Sequence, residues 1–171
     1  MADQTESLAE QPFHAPRNCI AVLDFGGQYA HLIVNRVRRL NAFAELFHAD
    51  VTADELRQHH VTGIIFSGGG GSVTGEECPL GVQLDSLLDL HVPILGLCLG
   101  HQYLANALGG TVTKDEKMKE YGPAMLTIME KPEGEEGPWI LEGLDKGDDG
   151  ERKALSVWMS HGESVNTLPT R

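Results

Sequence analysis

Four short apolar runs, each followed by glycine or polar residues, constrain the fold of this chain more than any other feature. They are Cys19–Phe25, Ala42–Phe47, Val61–Phe66 and Val92–Leu97. The spacers after them carry helical periodicity: Leu32, Ile33, Val37 and Leu40 after the first run, Ala53–Gln58 after the second, Val82, Leu84, Leu87, Leu88 and Leu90 after the third, and Gly100–Leu108 after the fourth. Strands that alternate with helices and are too apolar to face water on either side predict a three-layer α/β fold. Its open, mostly parallel sheet carries helices on both faces, in the flavodoxin-like manner. Beyond Thr111 the rhythm changes. Ala124–Met129 and Ala154–Met159 read as strands, and Glu130–Arg152 between them, rich in Gly and acidic residues, reads as a solvated excursion.

The 171 residues suffice for one sizeable core, and Met1–Asn18, polar and aperiodic, reads as a mobile extension to a domain over 19–171. Thirteen basic against twenty-five acidic side chains leave a net charge of −12, which argues against nucleic acid and against an anionic membrane as partners. No apolar run is long enough to span a bilayer, and the amino terminus lacks a secretory plan, so a cytoplasmic location is expected. Three cysteines in no CxxC pattern indicate neither a disulfide framework nor a metal quartet.

The chemistry concentrates where the fourth run meets its helix. Gly96-Leu97-Cys98-Leu99-Gly100 has the spacing of a nucleophile elbow with cysteine in the reactive position. Glycines two residues to either side are required because the sharp turn leaves no room for side chains. The helix that follows directs its positive end at the sulfur, which favours thiolate. A free cysteine is more often an inert core residue, and that reading is kept for Cys19, with Cys78 a loop residue. The second feature is Ser67-Gly-Gly-Gly-Gly71 at the end of the third run. It lacks the Lys-Ser/Thr of a phosphate loop, and its bare amides could instead line an oxyanion hole together with the N–H of Leu99.

Asp24-Phe-Gly-Gly-Gln-Tyr29, Gly63-Ile-Ile-Phe-Ser-Gly-Gly69, Pro93-Ile-Leu-Gly-Leu-Cys-Leu-Gly-His-Gln102, Glu120-Tyr-Gly122 and Val157-Trp-Met-Ser-His-Gly162 together resemble the class I glutamine amidotransferases, and among them the glutaminase parts of GMP synthases. The resemblance runs from Cys19 to Arg171. It implies that Cys98 attacks the side-chain amide of L-glutamine, that the N–H groups of Gly69 and Leu99 hold the oxyanion, and that Gln102, Ser160 and His161 grip the substrate. It further implies that the ammonia serves an ATP-pyrophosphatase synthetase, on a separate polypeptide or a following domain, that converts XMP to GMP. ATP and Mg²⁺ are expected on that partner, with no cofactor and no metal in the glutaminase part. The family pattern has Ser at Gly27 and Pro at Gly70, and in GMP synthases often Tyr and Met at Leu99 and His101. Its catalytic base is a His in a late His-Pro-Glu segment that these 171 residues do not contain, so weak or absent turnover is expected of them alone. A local His161–Glu163 dyad ranks behind the reading of Ser160 and His161 as a strap that grips the substrate. The alternatives are an amidotransferase fold that only docks or regulates, a glutaminase serving another synthetase, and a cysteine hydrolase or redox sensor on the same kind of sheet.

Overall fold

The computed structural model describes residues 18–74, 81–114, 119–128, 134, 140, 141, 144 and 154–170. Along the chain run β1 (Cys19–Asp24), α1 (Ala30–Arg39), β2 (Phe43–His48), α2 (Ala53–Gln58), β3 (Val61–Phe66), α3 (Leu84–Leu88), β4 (Ile94–Gly96), α4 (Leu99–Ala107), β5 (Thr111–Thr113), β6 (Glu120–Thr127), β7 (Ala154–His161) and β8 (Ser164–Thr167). They form two compact units, one of Met1–Thr113 with Val165–Arg171 and one of Lys114–Ser164.

In the first unit β1 to β4 make a sheet of order β2-β1-β3-β4 in which every pairing is parallel. Side chains alternate across it. Ile20, Val22, Ala44, Leu46 and Ile65 face α1 through Val34, Ile33 and Val37, whereas Ala21, Leu23, Phe47, Ile64 and Phe66 meet Leu56, Leu84, Leu87, Leu99 and Ala105 of the other three helices. This division follows from right-handed crossovers. The chain steps one way from β1 to β2 and the other way from β2 to β3 and on to β4, so α1 falls on one face and α2 and α3 on the other, where α4 also packs. The doubly wound, flavodoxin-like architecture expected from the sequence is the one observed.

Local chemistry accounts for the helix ends. The Thr52 hydroxyl accepts from Glu55 N–H at 3.2 Å, capping α2, and Asp54 and Glu55 sit in its positive first turn. The last turn of α1 carries Arg36, Arg38 and Arg39, and Asn41 closes it at φ 61°. Two elements are shorter than their apolar patterns: α3 covers five residues and β4 three. Pro93 accounts for the late start of β4, since it lacks an amide and biases the residue before it. Val82 and Leu90 still pack on the core from outside α3. The phase of α1 also differs from the pattern. Ala30 and Val34 are buried, and Leu32 and Leu40 are exposed. The short, threonine-rich β5 pairs with β8, where Thr113 Oγ1 donates to Asn166 Oδ1 at 2.6 Å. Neither strand has the apolar alternation that would have revealed it.

The second unit contains an antiparallel pair, β6 with β7, in register from Glu120 opposite His161 to Thr127 opposite Ala154. β7 runs two residues beyond the expected Ala154–Met159, and β6 starts four residues before Ala124 but ends at Thr127, with Met129 outside the described residues; cross-strand hydrogen bonding does not depend on hydrophobic alternation. Tyr121, Met125 and Trp158 of this pair are exposed. The extension over 1–17, Cys78 and nearly all of the acidic excursion over 130–152 lie outside the described residues. Among the described residues no helix is long and apolar enough to cross a membrane.

Candidate active site

Three loops leave the carboxyl ends of neighbouring strands in the first unit: Phe25–Gly27 after β1, Ser67–Gly71 after β3 and Leu97–Cys98 after β4. The strand order reverses between β1 and β3, and open α/β sheets bind ligands outside the carboxyl ends at such a point.

The last loop is an elbow. Leu97 N–H donates to Phe66 O at 2.9 Å, still in the manner of the sheet, and Gln102 N–H donates to Cys98 O at 3.0 Å, already in the manner of the helix. The whole reversal falls on Cys98, which adopts φ 53°, ψ −113°. That region is costly for a residue with a Cβ, by about 1–3 kcal/mol. The flanking glycines are sterically required. A Cβ on Gly96 would stand 2.6 Å from Gly100 O, and one on Gly100 would stand 2.6 Å from Phe66 Cβ. Cys98 is exposed at the tip, whereas Leu99 beside it is 2% exposed. α4 begins at Leu99, one residue earlier than its sequence suggests, because Cys98 occupies the N-cap position.

The glycine loop lies directly over this tip. A Cβ on Gly68 would meet Cys98 Cβ at 3.3 Å and Sγ at 3.9 Å; one on Gly69 would collide with Phe25 O and meet Leu99 Cδ2 at 2.9 Å; one on Gly27 would collide with Gly68 O. The backbones of the three loops are thus packed without intervening side chains. Among the described residues, the N–H groups of Gly69 and Leu99 engage no acceptor. Cys98, Gly69 and Leu99 are brought together as the sequence suggests. Gln102 is buried one turn along α4, and His101 is exposed. A concavity of about 380 Å³ opens at the carboxyl ends of β1 and β2, lined by Asp24, Gly26, His48, Asp50 and Gly81 among others; Cys98 is not part of its lining.

Ser67 carries no signal in the sequence beyond preceding the glycines, yet it is fully buried and uses every polar atom. Its N–H donates to Leu23 O (3.1 Å) and its carbonyl accepts from Gly100 N–H (3.1 Å). Its hydroxyl accepts from Phe25 N–H (2.9 Å) and donates to Gly68 O (3.1 Å).

Cys19 contrasts with Cys98. It is buried at the amino end of β1, and its thiol is pushed up from 9.0 to about 11, first by burial and then by the charge of Glu45, whose Oε2 lies 3.9 Å from Sγ. The same Oε2 pairs with His59 Nδ1 at 2.8 Å, and the His59 ring stands edge-on to Phe47. His59 therefore has an acidic partner that only strand placement supplies. The inert-core reading of Cys19 matches this environment.

Ser160 and His161 lie at the end of β7 in the second unit. Ser160 is exposed opposite Tyr121, and His161 Nε2 pairs with Glu120 Oε2 at 3.0 Å across the strands. The carboxylate that engages this imidazole is thus on β6 and not at the neighbouring Glu163.

The family model described as glutamine amidotransferase class-I matches residues 21–171. Over 155 residues the chain is 43% identical to a glutamine-hydrolysing GMP synthase of Heliobacterium modesticaldum, and over 153 residues 41% identical to that of Aquifex aeolicus. Each alignment covers 90% of this chain and 27% of the relative, so the chain spans about a quarter of these proteins. Among solved structures, a GMP synthase subunit from Thermoplasma acidophilum superposes with TM-score 0.70 at 27% identity, covering 92% of this chain and 71% of the other. A glutamine amidotransferase from Thermotoga maritima shares the fold, with TM-score 0.58 at 19% identity and coverage of 92% and 65%.

Proposed function

This chain belongs to the class I glutamine amidotransferases, and from that premise we propose that it is the glutamine-hydrolysing part of a GMP-forming system, with Cys98 as its nucleophile. The observation that carries the proposal is the exposure of Cys98 at the tip of the elbow, at φ 53°, beneath the Gly68–Gly69 backbone. A merely structural thiol has no need of that strained position.

Cys98 Sγ attacks the side-chain amide carbon of L-glutamine. The carbonyl π pair moves onto oxygen, and that charge is received by the N–H groups of Gly69 and Leu99. Collapse of the tetrahedral species expels the amide nitrogen as ammonia once it has gained a proton, and leaves a thioester on Cys98. Water then cleaves the thioester to glutamate and regenerates the thiol, so that glutamine and water give glutamate and ammonia. Gln102, Ser160 and His161 bind the substrate in this scheme. Among the described residues no hydrogen bond joins Cys98 Sγ to a base. A positioned acid–base group contributes about 10²–10⁴-fold to such a step.

The ammonia passes to an ATP-dependent synthetase that converts XMP to GMP, which binds the ATP and Mg²⁺ itself. The names of the relatives and their more than threefold greater length support this assignment. The test is alkylation by a diazo-ketone analogue of glutamine, followed by peptide mapping. Selective, glutamine-protectable labelling of Cys98 is expected, and whatever ammonia is released from glutamine should appear in GMP once a synthetase, XMP and ATP are supplied. Labelling of Cys98 that glutamine does not slow would sink the glutaminase reading, and glutamine turnover that never yields GMP would sink the acceptor.

A further inference from the structure

We propose that Ser67 is a positioning residue for the oxyanion-binding loop, acting through its hydroxyl on Gly68 and Gly69; this rests on the glutaminase reading above. Ser67 is hydrogen-bonded at once to β1, to the turn after β1, to its own glycine loop and to α4. Its main chain is held between Leu23 O and Gly100 N–H, which fixes β3 against β1 and against the first turn of the nucleophile helix. That part of its role is available to any residue.

The hydroxyl does something different. It donates to Gly68 O and accepts from Phe25 N–H, so it orients the peptide plane between Gly68 and Gly69. The N–H of that plane is the Gly69 amide assigned to the oxyanion. The loop is also restrained by backbone crowding, of Gly69 against Phe25 O and of Gly27 against Gly68 O. Crowding limits where the loop sits but does not specify which way an amide points. A hydrogen bond to the carbonyl of the same plane does, because carbonyl and N–H of one trans peptide point in opposite directions. Ser67 is wholly buried, so water is poorly placed to replace its hydroxyl. Loss of the hydroxyl should therefore leave the elbow and its sulfur in place and misdirect one oxyanion donor.

The experiment uses the full chain and two alkylating probes. The diazo-ketone glutamine analogue places its ketone oxygen in the oxyanion site, and iodoacetamide reports the exposed thiol without needing that site. Removal of one oxyanion donor costs about 10²–10³-fold, and misalignment costs less than removal. Ser67→Ala is therefore expected to slow the saturating alkylation rate with the diazo-ketone by roughly tenfold or more. The half-saturating concentration and the iodoacetamide rate at Cys98 should stay within about twofold. Ser67→Cys keeps the volume and a weak donor, and should recover part of the loss; it also serves if Ser67→Ala does not fold. Wild-type rates with both probes would overturn the proposal, and so would equal slowing of both, which marks general disruption of the loop. If wild-type Cys98 reacts with iodoacetamide but not with the diazo-ketone, the glutaminase reading fails first and this inference falls with it.

Discussion

The Cα of Gly68 faces the side chain of Cys98 so closely that a methyl group there would lie 3.3 Å from Cys98 Cβ and 3.9 Å from its sulfur. The two residues come from the ends of neighbouring parallel strands, and their approach defines the floor and roof of the reactive site. Gly68→Ala should lower thermal stability slightly, since 3.3 Å is tighter than ordinary contact and the strained Cys98 must give by a few tenths of an ångström. It should also slow alkylation of Cys98 by bulky reagents more than by small ones. Equal slowing by reagents of different size would argue that the two residues are not in contact.

The strain at Cys98 gives a stability prediction of opposite sign to the functional one. Cys98→Gly relieves a positive φ that disfavours any Cβ. The variant should be stabler by about 1 kcal/mol and incapable of forming a thioester. For a chain of this size that is a rise of roughly 2–4 °C in Tm. A lower Tm would mean that the elbow is not strained in solution.

Glycines in and around the loops should divide sharply by position. Gly96→Ala and Gly100→Ala force a Cβ against main-chain atoms at 2.6 Å and 2.5 Å, and each should destabilise by about 1–3 kcal/mol or prevent folding. Gly70, with nothing within 4 Å of a built Cβ, should accept Ala within about 0.5 kcal/mol. Denaturant unfolding of the three variants checks the order.

Cys19 predicts an alkaline loss of stability. Its folded thiol is raised from 9.0 to about 11, so the native state holds a proton that the unfolded state gives up first. The contribution is fully present below pH 9 and is lost as pH rises towards 11. Urea midpoints measured across this window should fall, and the fall should be shallower in Cys19→Ala. Within the same window Cys19 should resist alkylation in the native protein while Cys98 reacts.

The pair of His161 with Glu120 is a test of the strap. The Glu120 side chain is 56% exposed, so the pair is worth at most about 1 kcal/mol and Glu120→Gln should barely alter stability. His161→Ala should raise the glutamine concentration needed to protect Cys98 while leaving its iodoacetamide rate alone. Unchanged protection would remove His161 from the substrate site.

Much of this was legible along the chain because the rules involved are local. Alternation and helical spacing placed β1, α2 and β3 close to their observed bounds, and the G-x-C-x-G spacing located the elbow; Gly96 is demanded locally by Gly100 O, although Gly100 is demanded by Phe66 of a neighbouring strand. The phase of α1 and the brevity of α3 were not legible, because which residues are covered depends on neighbours that local periodicity does not name, whereas the late start of β4 follows from Pro93. The same limit explains Ser67 and His59. The hydroxyl of Ser67 meets Phe25 N–H 42 positions away, and His59 meets Glu45 14 positions away. Such partnerships, like the raised titration of Cys19, follow from strand register and desolvation, and both arise only when distant segments pack. The amino-acid order determined that there would be an exposed thiol at a strand-to-helix bend; the packing of three loops at one end of the sheet decided what surrounds it.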